Sequence, residues 1–360
     1  MTELNDLEKE SFFDDDFDQL PPSDIVAYNE LRSCADLLRM YDDKMLDIQP
    51  EFQRDIIWSP ASQTRFIDSL IKQLPIPSMC FGYDYKTERW QVIDGLQRIS
   101  AIIRFLVDDK WKLSKLKDIN HDLAGMSVEE IKKSKKLSKY FNRVKNITLP
   151  ITVLRCDYGK KAHKLYLFTI FHRLNTGGMK LNNQEIRNCV YNGKLNSLLK
   201  NLDNDKNWRI LNKMQPHQSY RFTKQELILR FFALYDNLKN YSGKLAQFLN
   251  EYMSDNQNPD NTFLKNKEHL FKTTVKIITE GLYQKNPEHK LSNTILEALL
   301  YGVAKNINSL QSKNTVNLKK YYTLLKKEKA FSDESLKEGL AGKEKVKKRL
   351  NTSKLIFSDR

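Results

Sequence analysis

Between Trp90 and Ile103 an apolar, strand-like run breaks at Asp94-Gly95 and continues as the apolar-periodic segment Leu96-Gln97-Arg98-Ile99-Ser100-Ala101-Ile102-Ile103. A corner of this kind suits an anion. Glycine lets the backbone come close to it, the first N–H groups of the helix point outward, and Arg98 adds a guanidinium one turn in. Alone, the same residues describe a turn glycine beside a surface ion pair. Two more polar clusters in apolar surroundings change the weighing. One is Gln53-Arg54 with Trp58, leading to Ser59 as N-cap and Pro60 as first helical residue. The other is Arg173-Leu174-Asn175-Thr176-Gly177-Gly178, where a helix ends in paired glycines before Glu185 and Arg187. Those glycines serve either as an ordinary helix C-cap or as a nest of N–H groups for an anion.

Taken together and in this order, the clusters resemble the N-terminal domain family of GmrSD-type restriction endonucleases, over roughly residues 33 to 235. The family's marks are a Gln-Arg pair followed by Trp, an Asp-Gly-Gln-Gln-Arg motif opening a helix, and an Arg-Leu-Asn-Thr-Gly-Gly loop followed by Glu-x-Arg. The resemblance implies a ParB/sulfiredoxin-like fold and a nucleotide-dependent role in defence against foreign or modified DNA, antiviral defence included. Such domains are often coupled to an HNH-type nuclease. The C-terminal half shows no His-Asn-His arrangement, so the expectation is a nuclease on a separate subunit. Leu96 departs from the motif, standing where the family has its first Gln.

If the clusters converge, Gly95, Gly177 and Gly178 offer N–H groups while Arg54, Arg98 and Arg173 neutralise phosphate oxygens. Arginines gathered without a carboxylate repel one another, and a polyphosphate resolves that conflict better than a neutral substrate. Asp94 is the candidate Mg²⁺ ligand or water-positioning group, with Gln97 or Gln53 orienting the water. The expected catalytic set is therefore Asp94, Gln97 and Arg98. Nucleotide contacts fall to Gln53, Arg54, Gly95, Arg173, Asn175, Thr176, Gly177 and Gly178, and support to Trp58, Glu185 and Arg187. Trp58 is read as a core residue locking its loop rather than a base-stacking one. The expected cofactor is an NTP with Mg²⁺. Two other readings use the same residues: clusters gripping or cutting the DNA phosphodiester backbone, and an inactive nucleotide sensor in which Leu96 has abolished turnover.

The chain of 360 residues has room for two domains. Its net charge of +15 coexists with an acidic start, Glu3 to Asp18, so the remainder is more basic still. That excess makes DNA a plausible partner, against the plainer reading of lysines solvating helix faces. No apolar run reaches the roughly 18 residues of a membrane span, and the acidic start is unlike a secretory signal. Cys34, Cys80, Cys156 and Cys189 and the six histidines are dispersed without ligand spacing. A reduced, cytoplasmic protein without membrane contact or structural metal is expected.

The elements that must position the clusters follow from periodicity. Residues 1–24 read as an acidic, disordered tail and 25–181 as the mixed α/β nucleotide-binding domain. Residues 182–360 read as a helical domain whose tail, Lys313 to Lys348, is a solvated or DNA-facing surface. Within the mixed domain we expect a Ser33-capped helix to Met40, a helix between Pro60 and Pro75, and a hairpin from Ser78 to Ile93. A helix from Leu96 to Val107, another from Val128 to Phe141, a strand from Ile147 to Cys156 and a helix from Lys161 to Leu174 follow. The fold class is α+β.

Overall fold

The apolar alternation of the first half goes into one mixed sheet of five strands, ordered β1-β5-β3-β4-β2. The computed structural model describes residues 22–48, 58–174, 181–215, 220, 222–285, 287, 291–310, 315–332 and 339–358. These form two compact units, one ending at Leu181 and one beginning at Asn182. The architecture is α+β, with the sheet in the first unit and helices throughout the second.

In the sheet, β1 (Val26–Ser33) runs antiparallel to β5 (Thr148–Cys156), and β5 parallel to β3 (Met79–Asp84). Strand β3 pairs antiparallel with β4 (Arg89–Asp94), and β4 parallel with the short β2 (Leu46–Asp47). Met79, Phe81, Trp90, Val92, Ile151 and Val153 face a core shared with helices α1 (Cys34–Asp42), α2 (Pro60–Ile71), α3 (Leu96–Val107), α4 (Val128–Lys133) and α5 (Ser138–Asn146). The alternate residues Cys80, Ile93, Leu154 and Cys156 are buried as well, and α6 (Lys161–Leu174) packs against β4. Burial on both faces is why the central strands read as nearly continuous apolar runs. Pro150 is tolerated in β5 because the pairing with β3 begins only at Ile151.

Ser33 and Ser59 cap α1 and α2 as their positions predict, each hydroxyl accepting the N–H three residues on. Three expectations are corrected. Strand β1 has no counterpart in the sequence reading, because at the sheet edge most of its residues are exposed and polar positions interrupt the apolar ones. The helix expected from Val128 to Phe141 is two, broken at Ser134, whose extended backbone ends α4 while its carbonyl accepts the Leu137 and Ser138 N–H groups.

The third correction concerns the lysine-rich tail. The second unit comprises α7 (Asn183–Val190), α8 (Lys194–Asp203), α9 (Lys206–Leu211), α10 (Thr223–Asn237), α11 (Leu245–Asp255), α12 (Asn261–Lys276), α13 (Asn293–Lys305), α14 (Ile307–Leu310), α15 (Thr315–Lys327) and α16 (Lys343–Ile356). Helix α16, which overlaps that tail at residues 343–348, is a core element packed on α13, whereas the described side chains of α15, within the tail, are mostly exposed. Val346, Leu350 and Ser353 are buried, and the Ser353 hydroxyl donates to the Ala298 carbonyl at 2.6 Å. A Cβ on Gly302 would stand 2.2 Å from Ser353 Oγ, so two small residues allow the close approach. Lysine density conceals this because the apolar stripe of α16 is narrow.

All four cysteines are buried and free, and burial pushes the Cys34, Cys80 and Cys156 thiols up to about 12. Among the described residues no helix is long and apolar enough to cross a membrane.

Asp24, just ahead of β1, accepts from Lys160 Nζ and from His163 Nε2, the latter at 2.8 Å. His163 Nδ1 accepts the Asp157 N–H at 3.0 Å, so Nε2 carries the proton. The Lys160 and His163 hydrogen bonds hold the Asp24 carboxyl at about 2 against an ordinary 3.8. A native value below the unfolded one means the tie is fully present above the ordinary value and is lost as pH falls toward the native one. Hydrogen exchange at β1 amides should therefore accelerate across that interval, and Asp24→Asn should remove the acid step. An unchanged step in the variant contradicts the assignment.

Candidate functional site

The corner between β4 and α3 is built by a glycine that no other residue replaces. Gly95 adopts φ +98°, in the left-handed region, and a Cβ there would lie 2.5 Å from Met79 Cγ. Strand thus passes directly into helix, with Asp94 as the last residue of β4 and Leu96 the first of α3. The start of α3 carries no side-chain cap, so its N–H groups keep the positive end of the helix dipole for whatever approaches.

Arg98 folds back over this corner. Its Nη2 donates to Asp94 Oδ2 and its Nη1 to the Pro77 carbonyl, both at 2.5 Å. The guanidinium is largely buried (14 % exposed) and the Asp94 carboxylate is about one-third exposed (37 %). Its remaining donors, like Asp94 Oδ1, make no hydrogen bond to the described residues. Arg98 is therefore not an arginine without a carboxylate: Asp94 holds it in place, one turn away on the same side of the corner.

Gln97 and Trp58 meet at the same place. Gln97 Oε1 accepts the Trp58 backbone N–H at 2.8 Å, and Gln63 Nε2 donates to the Trp58 carbonyl at 3.0 Å. Two glutamines from different helices thus hold the two backbone polar groups of one residue. The Trp58 ring stands edge-on to Phe66, centroids 5.5 Å apart, and packs on the apolar core. The ring is thus part of the packing rather than displayed to solvent. Gln63 Oε1 in turn accepts from Arg104 Nη1 at 3.0 Å, and the Arg104 guanidinium lies 4.8 Å from the Trp111 ring centroid. Sequence reasoning missed Gln63. The signal was present, a polar residue on the face of α2 that otherwise carries Phe66, Ile67 and Leu70 inward.

Of the other expected residues, Gln53, Arg54, Asn175, Thr176, Gly177 and Gly178 lie outside the described residues. Arg173 is exposed in the last turn of α6. Glu185 and Asn182 form a capping box at the start of α7, each side chain accepting the other's backbone N–H, at 2.6 and 2.9 Å. Arg187 is buried in the helical unit. It donates to Glu226 Oε2 at 2.9 Å and to Asn250 Oδ1 at 2.8 Å, and Glu226 also binds Arg230 at 2.7 Å. Burial alone would raise the Glu226 carboxyl, and the Arg230 and Arg187 guanidiniums overcome it and hold it below the glutamate range. Beside this triad, Gln184, Asn188, Asn196 and Gln225 form a closed, buried amide network. Both charges of the Glu-x-Arg pair are thus engaged in fixing α7.

Among the described residues no three His, Cys, Asp or Glu side chains are grouped to hold a metal by themselves. Asp94 fits the lesser demand of Mg²⁺, one carboxylate oxygen with phosphates and water supplying the rest.

Residues 34–192 match the model of one known family, described as the N-terminal domain of the GmrSD restriction endonuclease. No curated protein matches the chain significantly.

Gly95→Ala should destabilise the first unit by about 1–3 kcal/mol, from left-handed strain and the Met79 clash together. Glu226→Gln should cost the helical unit about 3–5 kcal/mol by leaving two buried guanidiniums opposed. Urea unfolding of each variant measures both, and a loss below 0.5 kcal/mol in either would contradict the corresponding reading (on the order of the ordinary surface-substitution effect).

Proposed function

Residues 34–192 belong to the family of GmrSD restriction endonuclease N-terminal domains, and from that premise we propose that the chain is the nucleotide-binding, NTP-hydrolysing module of a restriction-type defence system. The supporting observation is the uncapped start of α3, opened by Gly95 and flanked by Arg98. A phosphate there meets N–H groups and a guanidinium already oriented by Asp94, so binding it orders little that is not already ordered. Arg98 neutralises the phosphate, Asp94 would hold Mg²⁺, and Gln97 fixes the Trp58 backbone N–H at the rim. When bound, the metal supplies Lewis-acid polarisation of the phosphoryl oxygens. Gln53, Arg54, Arg173 and the Asn175 to Gly178 loop complete the nucleotide contacts in this reading.

DNA is the target, and a separate subunit brings the nuclease. The family description and the net charge of +15 support the first of these. Leu96 packs against the apolar core of the unit, so the departure from the family motif alters the packing beneath the corner and leaves Gly95, Gln97 and Arg98 in place.

Purified protein incubated with each NTP and Mg²⁺ should release phosphate. Arg98→Ala should lower the rate by about 10²-fold or more, and Asp94→Asn should remove its dependence on Mg²⁺. Undiminished release from both variants removes the site. Nucleotide binding without release, unchanged by Leu96→Gln, replaces hydrolase by sensor.

A further inference from the structure

Within the helical unit, an open cleft of about 660 Å³ lies between α12, α13 and the segment that follows α13. Tyr235, Asn266, Lys267, His269, Lys305 and Asn308 contribute to its lining. None of them belongs to the proposed nucleotide site.

The charges here do not balance. Lys267 Nζ pairs with Asp236 Oδ1, and Asp236 Oδ2 already accepts the Tyr252 hydroxyl at 2.6 Å. Both oxygens of that carboxylate are engaged. Lys305 Nζ lies 3.7 Å from the Tyr235 ring centroid and 5.4 Å from that of Tyr301, and donates to the Tyr235 carbonyl at 3.0 Å. Among the described residues it has no carboxylate within ion-pair distance. Burial lowers its affinity for the proton, and Lys354 and Lys267 act in the same direction against the single opposing charge of Asp236. An ammonium held between two aromatic rings at the edge of a cleft, one positive charge in excess, gains directly from an incoming anion.

We propose that this cleft is a phosphate-binding site that takes a phosphodiester of a nucleic-acid strand between Lys305 and Lys267, with the exposed Asn266 and Asn308 side chains at its rim. Lysines are compact point charges suited to phosphate, and the cleft has room for a backbone phosphate with its sugars. Its openness and the chain's positive charge favour a strand passing through over a small ligand enclosed. A free nucleotide carries the same group, and the arms of the test separate the two sources.

Fluorescence anisotropy of a labelled DNA duplex with the full chain is the measurement, over a series of salt concentrations. Lys305→Gln should weaken binding about tenfold at 0.1 M salt and make the log–log salt slope shallower by about 0.9, the loss of one phosphate contact. Asn308→Asp, at an exposed position where folding is not at stake, should weaken DNA binding as well and leave NTP hydrolysis unchanged. ATP binding measured in parallel assigns the source: loss for DNA alone supports the phosphodiester, and loss for ATP alone overturns it in favour of a free nucleotide. Unchanged affinity and slope for both ligands in both variants overturn the site altogether, whatever the outcome at Arg98.

Discussion

The turn at Gly95 is the constraint on which the site depends. A strand that passes into a helix without a loop must reverse its hydrogen-bonding habit within one residue, and here that residue sits at φ +98° against the Met79 side chain. The consequence is geometric. Among the described residues no side chain caps the start of α3, and the first polar side chains of the helix are delivered to the same spot. Arg98 reaches back to Asp94 and Pro77, while Gln97 reaches out to Trp58.

The glutamine clamp extends this order to the neighbouring segment. Both backbone polar groups of Trp58 are held, the N–H by Gln97 from α3 and the carbonyl by Gln63 from α2. Hydrogen bonds of this kind contribute about 1 kcal/mol each, so their value lies in fixing position more than in stability. Gln63 is itself held by Arg104, whose guanidinium rests on Trp111. A chain of contacts therefore runs from the apolar core to the Trp58 backbone.

Legibility of the sequence followed burial. The helix from Leu96 to Val107 was readable to the residue, since its apolar stripe is broad and a glycine marks its start. Hairpin and central strands were readable because they are buried and rich in branched residues. Strand β1 was hidden by its edge position, and α16 by the lysines on its solvent side, which mask Val346, Leu350 and Ser353. The polar corner could be recognised as one, and an ion pair there was one of two readings the residues left open, because spacing of four does not say which way a side chain at the strand end will turn. Gln63 escaped for a related reason: nothing in its spacing points to its two partners, the Trp58 carbonyl and the side chain of Arg104 on another helix.

That pairing bears on what the corner accepts. A carboxylate beside a helix start repels a bare phosphate at close range, while Arg98 and the helix dipole attract it, so the three effects compete within a few ångströms. A divalent cation held by Asp94 would offset that repulsion, and Arg98 keeps donors to share. Under the proposed function the corner would therefore suit a metal-chelated polyphosphate better than an isolated phosphodiester. The cleft beside Lys305 has the opposite character, with cations in excess and its one carboxylate already engaged, and it needs no metal to receive a phosphate. The two proposed sites thus differ in a single feature, whether a carboxylate oxygen without a hydrogen bond to the described residues stands at the mouth.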